Sequence, residues 1–288
     1  MKQTILHFII FAFLHFCIFT LYSCTTDSAD ITAEETGVKT VALNLGGDFT
    51  IEQLTRSTSV ETSSDIYVFD YMDGKSVQTI HQQKGDPIFG TPRITLKYGK
   101  HHLYFIVANG TEPSIAANII RWQKVGDTFW GAMDVDISAK TGNTLDVSLE
   151  RVVAQLKISS SDIIPGDAQY LKITPSAWYY GLDYTTGTPS ALSTSAMTID
   201  NLDKGSYFSM TLYGLATKDE QKIDITLDAN TKYSNITNVP IRANTVTMLR
   251  GNIFTASSTS GDSYTTPETF GFNIKVNSSW NTGYNMTW

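Results

Sequence analysis

The chain has 288 residues, of which 41 % are hydrophobic and 17 % charged, and its formal net charge is −7. This composition supports a packed core and argues against wholesale disorder, while the acidic balance disfavours a general nucleic-acid binder, which needs basic excess to neutralise phosphates. Both cysteines, Cys17 and Cys24, fall within the first 24 residues, so the remainder has no thiol for a disulfide framework, a thiolate zinc site or a cysteine nucleophile.

Lys2 is followed by an almost wholly apolar run from Ile5 to Leu21. A positive charge followed by an apolar stretch is the layout of a secretory signal. The run closes on Leu21-Tyr22-Ser23-Cys24, where a small residue directly before a cysteine resembles the bacterial lipobox. That likeness implies cleavage before Cys24 and attachment of diacylglycerol to its sulfur, and multiple acyl chains anchor stably where one alone does not. Residues 1–23 therefore read as a lipoprotein signal peptide. Residues 24–37 are polar and without periodicity and read as a tether.

From there the chain reads as strands. Val41, Leu43 and Leu45 alternate with Ala42 and Asn44 before Gly46-Gly47. Ile66 to Phe69 and Leu103 to Ala108 are short continuous apolar runs, bounded by the turn pairs Asp73-Gly74 and Asn109-Gly110. Such runs favour strands over helices. The best helical candidate is Pro113 to Trp122. Leu145, Val147 and Leu149 alternate with polar residues, then the apolar set slips to Val152, Ala154, Leu156 and Ile158. Side chains in a strand have period two, so the slip of one residue turns the apolar set to the other face. A bulge would do this, as would a strand leaving one sandwich for another. The boundary is placed at 149–151, giving β-sandwich domains over 38–150 and 151–288. Alternation resumes at Ile223, Ile225 and Leu227 and at Phe270, Phe272, Ile274 and Val276, which implies antiparallel sheets with one wet face.

At this point the chain resembles the Bacteroidales fimbrillin superfamily, whose members build type V pili, and within it the FimB-type lipoprotein branch. The likeness is carried by Asp65-Ile-Tyr-Val-Phe-Asp-Tyr-Met-Asp-Gly74, by Leu149-Glu-Arg-Val-Val-Ala-Gln-Leu-Lys157, by Gly181-Leu-Asp-Tyr-Thr-Thr-Gly187, and by the segment from Arg242 to Phe254. It implies an all-β chain of two transthyretin-like antiparallel β-sandwich domains. It also implies a place at the outer membrane surface and assembly with pilins by β-strand exchange. Strand addition works because an open edge exposes unpaired backbone groups that a donor strand satisfies. Tyr284, Met286 and Trp288 alternate after the Asn281-Thr-Gly283 turn and could be such a donor, or simply the last strand of the second domain. Fimbrillins are commonly cut after an arginine between early strands. Leu54-Thr-Arg56-Ser57 is similar to such a site, and an uncut surface loop is the other reading.

No enzyme signature emerges. His81, His101 and His102 are the only histidines beyond the signal. Adjacent residues of a strand face opposite sides, so His101 and His102 cannot share one metal. Paired carboxylates occur at Asp134/Asp136, Asp70/Asp73 and Asp224/Asp228; the Asp134/Asp136 spacing on one face of a strand suits a glycosidase or a calcium site, and such pairs also form the wet face of a sheet. The calcium loop, the phosphate loop, the dinucleotide fingerprint and the nucleophile elbow are absent, and no cofactor or metal is expected. Trp178, Tyr179, Tyr180 and Tyr184 cluster around Gly181 and Gly187. As an exposed platform they would stack on a glycan or contact a host protein; otherwise they are core packing.

Overall fold

In the computed structural model, which describes residues 36–48, 63–255 and 273–277, every regular element is a β-strand. The first five are β1 (Val38–Gly47), β2 (Ser63–Met72), β3 (Lys75–Gln83), β4 (Arg93–Lys97) and β5 (Gly99–Gly110). A short hairpin of β6 (Ser114–Ala116) and β7 (Ile119–Arg121) precedes β8 (Val125–Ile137) and β9 (Thr144–Arg151). Then come β10 (Val153–Ile163), β11 (Leu171–Pro175), β12 (Trp178–Asp183), β13 (Thr188–Ser193), β14 (Met197–Ile199) and β15 (Tyr207–Leu215). The last are β16 (Gln221–Ala229), β17 (Lys232–Ile241), β18 (Val246–Gly251) and β19 (Asn273–Asn277).

The strands make a seven-stranded sheet in the order β3-β2-β5-β8-β9-β1-β4 and a four-stranded sheet β14-β11-β16-β17. An eight-stranded sheet runs β19-β18-β10-β15-β12-β7-β6, with β13 against β12. Pairing is antiparallel as expected, with two exceptions: β1 runs parallel to β9 and β10 parallel to β18. In each exception the partners are far apart in sequence, so intervening strands supply the crossover that a parallel pair requires.

Among the described residues three apolar cores fill the spaces. The first gathers Val41 and Leu43 of β1 and Ile94 and Leu96 of β4 against Ile66, Val68 and Phe105 of β2 and β5. The second lies within residues 154–254, around Leu156, Ile173, Ile225 and Val239. The third joins Tyr67, Phe69 and Ile106 to Ile120, Trp122, Leu182 and Leu215. It explains why β2 and β5 read as unbroken apolar runs: their alternate side chains enter two different cores. Asp73-Gly74 is the β2–β3 turn, both residues having the positive φ (52° and 71°) that suits a tight hairpin.

Pro113 to Trp122 is not helical. It is the β6–β7 hairpin, turned at Ala117 with φ 51°. Its isoleucines satisfy either period locally, and tertiary pairing decides: β7 is antiparallel to β12, and Ile120 and Trp122 are buried on the same face.

The apolar slip after Leu149 has a simple physical form. β9 belongs to the seven-stranded sheet and β10 to the eight-stranded one. Val152 stands between them, its N–H donating to the Thr128 carbonyl at 3.0 Å and its own carbonyl accepting from Ala216 N–H at 3.0 Å. Leu149 enters the first core, Val152 and Val153 the third, and Ala154 the second.

Candidate functional site

Trp178, Tyr179, Tyr180 and Tyr184 do not form one exposed platform. Trp178 is 3 % exposed, its Nε1 donating to the Tyr213 carbonyl at 3.2 Å. Its ring lies so near Gly214 that a Cβ there would sit 2.5 Å away. Tyr179 and Tyr180 are half-buried against the cores. Tyr184 follows β12 and reaches the outer face of the seven-stranded sheet, where its ring stacks on Phe69 with centroids 3.9 Å apart and planes within 4°.

That face is aromatic because Tyr67, Phe69 and Tyr71 sit at alternate positions of β2 and so point the same way. His81 stacks on Tyr67 at 4.2 Å, Tyr67 lies 6.0 Å from Phe69, and Tyr104 stands edge-on to Tyr71 at 5.5 Å. Over Phe69, Tyr71 and Tyr184 opens a cleft of about 570 Å³. Ser76 and Thr79 of β3 form one wall, and Ile115, Ala117 and Asn118 of the β6–β7 hairpin form the other. The Tyr184 hydroxyl donates to the Ala117 carbonyl at 3.1 Å, so Tyr71 supplies the proton of the 3.0 Å bond between the two phenols. Burial first, then the bond with Tyr71, hold the Tyr184 hydroxyl well above the ordinary phenol range. No Asp, Glu, Lys, Arg or His stands among the described residues of the lining.

The other candidates are occupied by structural partners. His101 is buried, with Nδ1 2.6 Å from an Asp70 carboxylate oxygen and Nε2 2.8 Å from the Lys97 carbonyl. Asp70 also accepts from Gln78 at 3.0 Å, so it is not the wet-face carboxylate its pairing with Asp73 implied. His102 faces the opposite side and meets Asp134 in solvent, and His81 pairs with Asp65 at 2.8 Å. Asp134 and Asp136 are both on the exposed side of β8. Among the described residues no three His, Cys, Asp or Glu side chains gather as a metal site.

A second cleft, of about 350 Å³, lies at the β9–β10 join beside Asp48, Arg151 and Asn244. Its buried guanidinium is already taken: Arg151 holds both Asp127 carboxylate oxygens, at 2.7 and 3.0 Å, and Asn244 Oδ1 at 2.9 Å, while lying 4.7 Å over the Phe129 ring.

Cys24, Arg56, Ser57, Tyr284, Met286 and Trp288 lie outside the described residues. Sequence reasoning reached Tyr184 but missed Phe69, Tyr71 and the hairpin wall. The alternation of Tyr67, Phe69 and Tyr71 was the available signal for a shared face.

A family model described as "Family of unknown function (DUF6562)" matches residues 116–286. No curated protein matches the chain. Among solved structures, a candidate polysaccharide-binding protein from Bacteroides thetaiotaomicron aligns at 10 % identity and TM-score 0.47, covering 74 % of this chain and 92 % of that one. A candidate adhesin from the same species aligns at 10 % identity and TM-score 0.48, covering 84 % and 97 %. The tip fimbrial protein Mfa3 from Porphyromonas gingivalis aligns at 11 % identity and TM-score 0.43, covering 84 % and 99 %.

Proposed function

We propose that this chain, which belongs to the DUF6562 family, is a non-catalytic structural subunit of a cell-surface fimbria of the type V pilus kind. In this reading it is a FimB-type anchor or accessory protein, held at the outer membrane by lipid on Cys24. Residues 24–37 are the tether, and the sandwiches of 38–150 and 151–288 are the body that assembles with pilins by strand exchange. One observation carries the reading. β19 pairs with β18 alone among the described strands, through five backbone-registered positions from Val246↔Asn277 to Arg250↔Asn273. Among the described residues it is the end strand of its sheet. A strand at the end of a sheet occupies a place that another subunit's strand can take by the same backbone pairing.

Capture of a partner pilin by the intact protein, and its loss on deleting residues 284–288, would support donor activity of that segment. Capture that survives both this deletion and deletion of 273–288 would overturn exchange at this edge. Circular dichroism of each variant separates loss of capture from loss of fold.

A second reading, a fimbrial tip adhesin or surface glycan-binding lipoprotein, is favoured by the uncharged aromatic cleft over Phe69, Tyr71 and Tyr184. A glycan array tests it, and absence of all binding removes it.

A further inference from the structure

The cleft over Phe69 is constructed by a local irregularity. Phe69 pairs with Thr79 and Asp70 with Gln78, but a bulge then sets Tyr71 opposite Ser76. An unbroken ladder would have put Val77 there. The bulge replaces an apolar side chain on the cleft face with a hydroxyl, and bulges commonly re-aim side chains beside sites. Neither Ser76 nor Thr79 makes a side-chain hydrogen bond to the described protein, and both are exposed. Asn118 lines the cleft and is held there by Nδ2 donating to Asp183 at 2.5 Å; its amide oxygen is an acceptor by chemistry. On the same wall Ala117 holds a left-handed backbone (φ 51°) that an alanine adopts only under strain. Its carbonyl is locked by Tyr184.

Ligand chemistry follows from this inventory. The floor is apolar and aromatic: Phe69 and Tyr184 are 2 % and 4 % exposed, and the half-buried Tyr71 presents its ring beside them. The rim offers hydroxyl and amide groups, and among the described residues no charged side chain lines the space. A pyranose ring has a C–H face that lies against a π-cloud and an equatorial belt of hydroxyls that need partners, and it is neutral. A volume of about 570 Å³ falls within the usual span of small-molecule sites. A phosphate, a carboxylate or a basic peptide would find no counter-charge.

We propose that this cleft binds a neutral saccharide, with the C–H face of one pyranose ring on Tyr71 and its hydroxyls met by Ser76, Thr79 and Asn118. The assignment rests on the glycan-binding reading and is independent of strand exchange. Tyr71 is the principal stacking residue. Ser76 and Thr79 set the ring's orientation.

The test is saturation-transfer NMR on the full chain with an array-derived set of neutral oligosaccharides, using methyl glucoside, methyl galactoside and methyl mannoside as minimal probes. Sialic and glucuronic acids are the anionic comparison. Neutral sugars should receive saturation at their ring protons, and Tyr71→Ala should weaken binding at least about tenfold. Thr79→Arg, at an exposed position outside every core, should do the same by filling the cleft, with the unfolding midpoint unchanged. Neutral sugars bound equally by the wild type and both variants would place the site elsewhere while leaving the glycan reading standing. Preference for the anionic sugars would overturn the neutral class. No binding of any sugar would overturn both the site and the reading on which it rests.

Discussion

Arg151 shows how much of this fold depends on single polar contacts. Its side chain is 1 % exposed and that of Asp127 16 %. Burial pushes the Asp127 carboxyl above its ordinary range, and the hydrogen bonds and charge of Arg151 offset only part of that. Removing the guanidinium leaves a buried, uncompensated carboxylate, so Arg151→Met should lower stability by about 3–5 kcal/mol in urea unfolding. The double variant with Asp127→Leu should recover most of the loss. The sign with pH is fixed: an acid whose folded pKa is raised loses stability as pH climbs from its unfolded value through the folded one. The single variant should therefore be least impaired near the unfolded carboxylate pKa of 3.8 and worsen toward neutrality. Asp162 has the opposite sign. Burial alone would raise it, but N–H groups of Ile253, Phe254 and Thr255 and the Thr255 hydroxyl, at 2.7–2.9 Å, hold it below its ordinary 3.8. Its contribution is complete above pH 3.8 and disappears as pH falls through the lower folded value, so Asp162→Asn should flatten the acid limb of the stability curve. Half-exposed as it is, the cost of Asp162→Ala near neutral pH should be about 2 kcal/mol. None of these pairings is legible in the sequence. His101 meets Asp70 only because β5 lies antiparallel to β2 in one register, and neither residue type announces its partner.

Elements were more readable than their contacts. The runs Ile66–Phe69 and Leu103–Ala108 identify β2 and β5 because β-rich apolar stretches between turn pairs have few other outcomes. What they could not disclose is that the sheet is covered on both faces. Phe105 enters the core beneath β1 and β4, while Ile106 enters the one formed with β7 and β12, and both are 0 % exposed. On a sheet with one wet face, truncating the outward residue would be nearly silent. Here Phe105→Ala should cost about 3–5 kcal/mol and Ile106→Ala about 2–5 kcal/mol, measured as unfolding midpoints in denaturant. A near-zero result for Ile106→Ala would mean that the third core does not exist in solution. The β6–β7 hairpin is opaque in sequence because three residues per strand are too few to display a period, and its conformation is set by docking on β12. The cleft inherits this opacity. Tyr184 could be flagged from its aromatic neighbours, but its stacking on Phe69 depends on how that hairpin and the bulge in β3 bring distant segments together.

For the whole molecule the decisive bond is the one after Arg56. Under the lipoprotein reading, loss of residues 1–23 removes Lys2 and no acid, taking the formal charge from −7 to −8. An acidic body is repelled by an anionic membrane surface, so under the lipoprotein reading the acyl chains on Cys24 supply the attachment. The topology adds a condition that the sequence did not contain. β1 precedes Arg56 in the chain, yet it lies between β9 and β4, in register with both, and its Val41 and Leu43 are 0 % and 4 % exposed in the first core. A nick after Arg56 therefore separates the N-terminal peptide from the body covalently but leaves β1 held as an interior strand. Burial of each of those side chains is worth about 1.5–3 kcal/mol, with two ladders of backbone hydrogen bonds in addition. An uncut anchor should appear in mass spectrometry of cell membranes as one chain beginning at acylated Cys24. Protein nicked after Arg56 by limited proteolysis should stay with the membrane in native buffer and be released only in denaturant, whereas Cys24→Ala should be released without either. Release of the nicked body in native buffer would show that β1 leaves its seat readily. The groove between β9 and β4 would then be the place where another subunit's strand enters, in place of the edge at β18.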